Sequence, residues 1–296
     1  MMSEKLEKLR PRIQSLDAIP TVPAIVQPLT AMLRLPADEI DLEHVIELVS
    51  FDKTIAAQCL RMANSPLFGR RQTDTVRSAV IALGLKRVQA ILMGCCLNMV
   101  MPAEKWVFDP VTFWRHSVGC ALVSRRMAQA IGHPDPEKAY LAGLLHDLGM
   151  LVNSLVCGED FRKCLQAAAE EHVALHRVEQ QHLGFTHCDS GKILADQWRI
   201  PSEVTEVVEF HHRVAPTAGP LVPLVYLSDL LCRVRDLGYG YYEVMGIDLA
   251  GDAAWMVLVQ HYPQLANMDL ARFTMDLDGA IKEIAALVEA VFTSRK

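Results

Sequence analysis

The chain has 296 residues, 51% of them hydrophobic and 22% charged, and a formal net charge of −6. A core large enough to offset the entropy of ordering is therefore available, which excludes a disordered chain. The charge also argues against nucleic acid as a direct partner, because counterion release needs clustered Lys and Arg, and the basic runs KRVQ (86–89) and RRM (125–127) are isolated patches expected on solvated helix faces.

At about twice a typical domain length, the chain is either two packed subdomains or one large domain. Its start, MMSEKLEKLRPR, is charged and lacks the apolar core of a signal peptide, so a cytoplasmic location is expected. Helix starts recur from there: Asp41 before LEHVIELVS, Asp52 before KTIAAQCLRMAN, and Asp74 or Thr75 before VRSAVIAL, with Gly84 as a stop. RMANSPLFG, with Asn64, Ser65 and Pro66, reads as a helix-ending turn. VQAILMGCCLNMVM is broken by Gln89 and Asn98 and predicts a buried helix, not a membrane span.

A seam falls in MPAEKWVFDP (101–110), dividing residues 1–105 from residues 106–296. Pro23, Pro110, Pro136 and Pro201 stand where a first helical turn tolerates proline. DLGYGYYEVMGIDLAGD reads as a loop, and a tail helix is expected over roughly 268–293. No alternating strand pattern appears, so the expected fold is all-α.

Of the eight cysteines, Cys59, Cys95, Cys96, Cys120, Cys164 and Cys232 lie in apolar helical surroundings and read as small hydrophobes. No CxxC pair exists, so neither a zinc ribbon nor a redox motif is indicated.

The chemistry centres on YLAGLLHDLGMLVN (140–153), apolar on nearly every side except for His146 and Asp147. A buried carboxylate beside an imidazole costs on the order of several kcal/mol unless a hydrogen bond, a counter-charge or a metal compensates. His116 lies on the helix after the seam, His187 in LGFTHCDSGKILADQW, His211 and His212 in VTEVVEFHHR, and Asp229 in VPLVYLSDLLCRV. One such histidine is an ordinary core residue; five histidines and two aspartates on successive helices point to metal. Imidazole plus carboxylate suits Fe, Mn, Zn, Co or Ni, aimed inward by the helices of a bundle. Neighbours on one helix point about 100° apart, so His146 and Asp147 need an ion over the groove between them. His116 and Asp229 could complete that ion's set. His187, His211 and His212 suffice for a second, with Asp147 as the bridge. Glu179 and Asp189 flank His187 and read as exposed charges, with extra ligands or acceptors behind the ligands as the alternative; His133, His172, His176, His182 and His261 read as surface or loop residues. GKILADQW is not a phosphate loop, since no Gly-rich lead precedes Lys192.

The order His116, His146-Asp147, Asp229 resembles the ligand signature of the HD superfamily of metal-dependent phosphohydrolases. AYLAGLLHDLGMLV, HLGFTHCDSGKILADQWRIP and VVEFHH resemble more narrowly the HDOD domain, the HD-related output domain of bacterial signalling proteins. IPTVPAIVQPL, VSFDKTIAAQCLRMANSPLFG and VRSAVIALGLKRV are similar to the N-terminal half of that domain, so the likeness spans roughly residues 15–240. It implies an HDOD-like helical bundle whose N-terminal half packs on an HD-type core. It also implies His116, His146, Asp147 and Asp229 as one ion's ligands, and His187, His211 and His212 as a second's.

Two departures bear on activity. In the related HD-GYP phosphodiesterases, which hydrolyse cyclic di-GMP, a lysine follows the pair within HDIGK; here Met150 stands in that place, and HHRVAPTAGP replaces the GYP segment. Losing a cation that stabilises phosphoryl charge costs on the order of several kcal/mol of barrier. The resemblance thus implies a signal-transduction module that binds a nucleotide-like ligand or a signalling protein partner. The alternative is a phosphohydrolase or phosphodiesterase acting on a nucleotide or cyclic dinucleotide, with metal-bound hydroxide attacking phosphorus and His187 or a neighbour assisting proton transfer. HDOD domains often occur beside receiver, GGDEF or EAL domains; none is recognisable in these residues, so action alone or through a partner is expected.

Overall fold

Local capping sets several helix boundaries in the computed structural model, which describes residues 4–18, 27–32, 35–36, 39–51, 53–64, 73–89, 92–93, 101, 103–239, 248–273 and 275–276. The first half holds α1 (Glu4–Gln14), α2 (Gln27–Met32), α3 (Leu42–Phe51), α4 (Lys53–Ala63) and α5 (Val76–Leu83). Asp41 accepts from the Glu43 amide at the head of α3 (2.9 Å), and Thr75 with Ser78 forms a reciprocal capping box on α5, which Gly84 ends. Asn64 closes the turn after α4 by bonding both the carbonyl and the amide of Thr73. Asp52, Ser65, Pro66 and Pro23, expected at helix ends, fall outside the described residues.

After a 3-10 turn at Ala103–Lys105 come α6 (Pro110–Ile131), α7 (Pro136–Leu145), α8 (Leu148–Glu171), α9 (Leu175–His182), α10 (His187–Gln197), α11 (Ser202–Phe210), α12 (Leu221–Arg233) and α13 (Ala253–His261). Asp109 and Asp135 cap α6 and α7, with Pro110 and Pro136 in the first turns. Pro201 precedes α11 as its cap rather than lying inside it. Residues 270–273 and 275–276 of the expected tail helix are helical, and the rest of it lies outside the described residues. No strand occurs among the described residues, so the chain is all-α.

Two close approaches position the centre of the second half. A Cβ on Gly143 would stand 2.7 Å from the Cys120 carbonyl, so α6 and α7 meet nearly backbone to backbone. A Cβ on Gly149 would stand 1.7 Å from the His187 carbonyl, which brings α8 equally close to the start of α10. α12 packs across α6 and α7, and α11 joins α7, α10 and α12.

The first helix crosses to this half. α1 packs on α8 and α10 through the buried Leu6 and Ile13, and the Gln197 side chain donates to the Gln14 carbonyl (2.9 Å). KRVQ is not the solvated face its composition suggested. Arg87 and Arg125 share the half-buried Glu137 (2.9 and 2.8 Å), Lys86 pairs with Asp135 (2.6 Å), and Gln89 is buried. Charge was a poor guide there because both partners come from a helix about 50 residues away, which sequence patterning does not register. Pro136–Glu171 is long and apolar enough to cross a membrane, but 83% of its apolar window is buried inside the fold.

Candidate metal centre

His146 and Asp147 do not sit within one continuous helix. His146 closes α7, Asp147 precedes α8 with φ −95° and ψ 20°, and the Asp147 side chain makes no capping bond. This turn, absent from the sequence reading, frees both side chains to converge: His146 Nε2 lies 3.0 Å from Asp147 Oδ2.

Residues from four other places meet them. From α6, His116 Nε2 lies 3.2 Å from His146 Nε2 and 3.3 Å from Asp229 Oδ1, and Asp229 belongs to α12. On the other side, His187 at the head of α10 brings Nε2 to 3.4 Å from His211 Nε2 and 3.1 Å from His212 Nε2, both just after α11. Asp147 stands between the clusters. Its Oδ2 faces His116 (3.6 Å) and His146, and its Oδ1 faces His187 (3.4 Å) and His211 (3.3 Å). All seven side chains named from the sequence therefore share one centre, and all but the half-buried His212 are buried.

The donor set fits a pair of divalent ions. His116 Nδ1 donates to the Leu237 carbonyl (2.6 Å) and His146 Nδ1 to the Gly143 carbonyl (2.8 Å), because a carbonyl can only accept. His211 Nδ1 likewise donates to Val207 O (3.2 Å), and His187 Nδ1 to Glu179 Oε2 (2.6 Å). In each neutral ring the Nε2 lone pair then faces another lone pair or a carboxylate, an arrangement that needs positive charge at its middle. Donors sharing an ion at about 2.1 Å stand about 3.0 Å apart in octahedral and about 3.4 Å in tetrahedral geometry. The distances above fall in or just beside that range.

In metal-free protein, protons take that place. Burial opposes charging His116, but its hydrogen bond to Asp229 and the charges of Asp229 and Asp147 outweigh it and push the pKa up to about 9. His211 is likewise pushed up to about 10 against burial, by the Cys188 sulfur and the Asp147 carboxylate. His187 is raised well above the usual range, again against burial, chiefly by Glu179. His212 moves the other way, lowered by burial and by the charges of His211 and His187. Burial opposes ionising Asp147, yet His146, His211 and His187 hold its carboxyl well below the ordinary value. Asp229 is held down too, by Arg233 (Nη2 to Oδ2, 3.0 Å) and His116.

Several partners were not legible as such. Glu179 takes the alternative role of an acceptor and not that of an exposed charge: fully buried, it accepts from the His187 ring, the His187 amide and Asn153 Nδ2. Its place in EQQHLGF gave no periodic signal, since the next helix covers it. Asp189 caps its own helix by accepting from the Thr186 amide (2.7 Å) and touches no ligand. His176, read as a surface residue, stacks on His212 at 4.4 Å between ring centroids, and burial lowers its pKa to about 4. Tyr239, from the segment read as a loop, donates its hydroxyl to Asp147 Oδ2 (2.7 Å).

Beside the centre lies a cavity of about 650 Å³, walled by Trp106, Phe108, Met150 and Tyr239, with Arg162 among its lining residues. Phe113 stacks against Tyr239, whose ring is 4.5 Å from that of His116, so aromatic contacts run from the cavity wall to the first cluster.

The HDOD domain family model matches residues 19–214. The solved structure of an HDOD domain protein of unknown function from Geobacter sulfurreducens is 27% identical, with a TM-score of 0.80, over 97% of this chain and 98% of that one. A Marinobacter aquaeolei VT8 structure, proposed to be a signal transduction protein, is 19% identical with a TM-score of 0.75, over 97% of this chain and 65% of that one; that likeness shows the fold. An uncharacterized protein of Treponema pallidum (strain Nichols) is 24% identical over 234 residues, 77% of this chain but 45% of its own length. The chain thus spans less than half of that curated relative.

Proposed function

Because the chain belongs to the HDOD domain family, we propose that it is a bacterial signal-transduction module built around a two-ion metal centre, acting in the cytoplasm by binding a ligand or a protein partner. His116, His146, Asp147 and Asp229 hold one ion; His187, His211 and His212 hold the other, with Asp147 shared. A bound divalent ion supplies a Lewis acid and a compact positive charge. Everything around it orients and encloses: carbonyls and Glu179 fix the imidazoles, and Tyr239 occupies the shared carboxylate.

The observation that carries a regulatory reading over a catalytic one is Met150. It lines the cavity next to the centre and is 1% exposed, so an apolar thioether fills the place where related phosphodiesterases present a cation. The aromatic walls suit the flat base of a nucleotide-like ligand, and Arg162 suits its anionic part. Neither nucleic acid nor a membrane enters this scheme.

A complete ligand set is what favours the second reading, a metal-dependent phosphohydrolase or phosphodiesterase. One experiment separates the two. The metal content of freshly purified protein is measured, and turnover of cyclic di-GMP and bis(p-nitrophenyl) phosphate is followed with Mn or Fe supplied. The regulatory reading expects bound metal and no turnover. Turnover that vanishes in an Asp147→Asn variant would establish the enzyme instead.

A further inference from the structure

Five imidazoles turn Nε2 into the metal centre, and four of them are tethered from behind. His116, His146 and His211 donate Nδ1 to backbone carbonyls and His187 donates to Glu179, at 2.6 to 3.2 Å. Tethers of this kind fix the ring orientation of a metal-binding histidine. His212 has none. Among the described residues its Nδ1 meets no protein acceptor, and it alone of the seven ligand side chains is half-buried rather than buried.

Stacking holds the His212 ring instead. The His176 ring lies against it, with 4.4 Å between centroids and 23° between planes. His176 stands on α9 three positions before Glu179, on the same face of that helix. One helix face thus supports two histidines of the second cluster, His187 through a carboxylate and His212 through a ring. A stack restrains the tilt of a ring but lacks the directionality of a hydrogen bond.

We propose that His212 is the displaceable ligand of the second ion, yielding its place to a compact anion from solvent, with His176 as the residue that positions it. This rests on the two-ion reading above and adds a second way into the centre. Neither His176 nor His212 lines the cavity, which borders the centre at Met150 and Tyr239.

Charge at this opening favours an anion. His176 is half-buried; burial first, and then the charges of His187, His211, Arg177 and Arg233, lower its pKa to about 4. Those four groups are all cationic when charged, and the ring they act on stays neutral. The carboxylates of the second cluster, Glu179 and Asp147, are both turned to His187. The exchange is a simple substitution: one nitrogen–metal bond breaks, one anion–metal bond forms, and the imidazole leaves neutral with no change of oxidation state.

Azide is the probe. The full chain is stripped of metal, reloaded with Co(II) and titrated with azide while the visible d–d bands are followed. A saturable change is expected in the native chain. His176→Ala, which removes the stack, should bind azide with a lower Kd than the native chain. His176→Phe keeps the stack without the nitrogens and should match the native chain. Bands that azide leaves unchanged in the native chain and in His176→Ala overturn displacement. Equal Kd in all three proteins, or Phe behaving as Ala, overturns positioning by the stack. Failure to bind cobalt at all overturns the two-ion reading itself.

A second measurement does not depend on azide. His212→Gly should still bind two equivalents of Co(II), with altered d–d bands that free imidazole restores, because that place opens to solvent. His211→Gly, which removes a buried and tethered ring, should lose the second equivalent and not regain it with imidazole. Loss of the second equivalent in His212→Gly, or bands that imidazole does not restore, overturns the assignment of His212 as the displaceable ligand.

Discussion

The Tyr239 hydroxyl donates a 2.7 Å hydrogen bond to Asp147 Oδ2, the oxygen that also faces His116 and His146. The tyrosine thereby fixes the orientation of the one carboxylate shared by both clusters. Partners of this kind typically change metal affinity by about 10- to 100-fold. Tyr239→Phe is therefore expected to weaken metal binding about 10-fold while leaving the circular dichroism spectrum unchanged. Competition with a fluorescent chelator measures it, and unchanged affinity would show that the hydroxyl merely fills space.

Glu179 holds the His187 ring by its Nδ1 and the head of α10 by an amide. Replacing it with Gln removes the charge and retains the shape. The second ion should be lost first, so that bound metal falls from two equivalents towards one by elemental analysis. His172, exposed at the end of α8, serves as the control, and His172→Asn should leave metal content alone. Equal loss of both ions in Glu179→Gln would show that the two sites do not form independently.

The pH dependence has a definite sign. In metal-free protein His116 and His211 titrate at about 9 and about 10, above the ordinary 6.5. Their protonation therefore contributes stability that is fully present below about pH 6.5 and is lost as pH rises through about 9 to 10. Asp147, displaced downward, contributes above its ordinary 3.8, and that share is lost only in strong acid. Metal-free protein should thus melt at progressively lower temperature as pH rises from neutral towards 10, and metal-loaded protein should not. At pH 7.5, metal binding should also release protons, seen by calorimetry as a heat that depends on the ionisation enthalpy of the buffer. His212, already neutral, adds nothing to that release. A buffer-independent heat would mean that the rings are neutral before metal arrives.

Gly149→Ala tests the backbone contact that brings Asp147 to His187. The added Cβ would stand 1.7 Å from the His187 carbonyl, so α8 and α10 must separate. Overpacking of this kind costs about 1–3 kcal/mol, enough to lower the melting temperature by several degrees. Metal affinity should fall with it, most for the second ion. A variant as stable as the native chain, with full metal content, would show that the helices have room to slide.

The sequence by itself determined the all-helical character and several helix starts, because caps such as Asp41 and Thr75 act on residues two or three positions away. It also marked all seven side chains of the centre, since polar groups in apolar helices are conspicuous without any knowledge of packing. What it could not hold was the relation between distant residues. Only the tertiary structure split the apolar run at His146 and Asp147 into two helices, buried Glu179 behind His187, and brought Tyr239 to a carboxylate 92 positions earlier. It likewise turned Lys86 and Arg87 from a solvated patch into partners of Asp135 and Glu137. The reason is physical. Helices meet at the Cβ-free surfaces of Gly143 and Gly149, and such approaches are set by packing across the whole fold, not by periodicity along the chain.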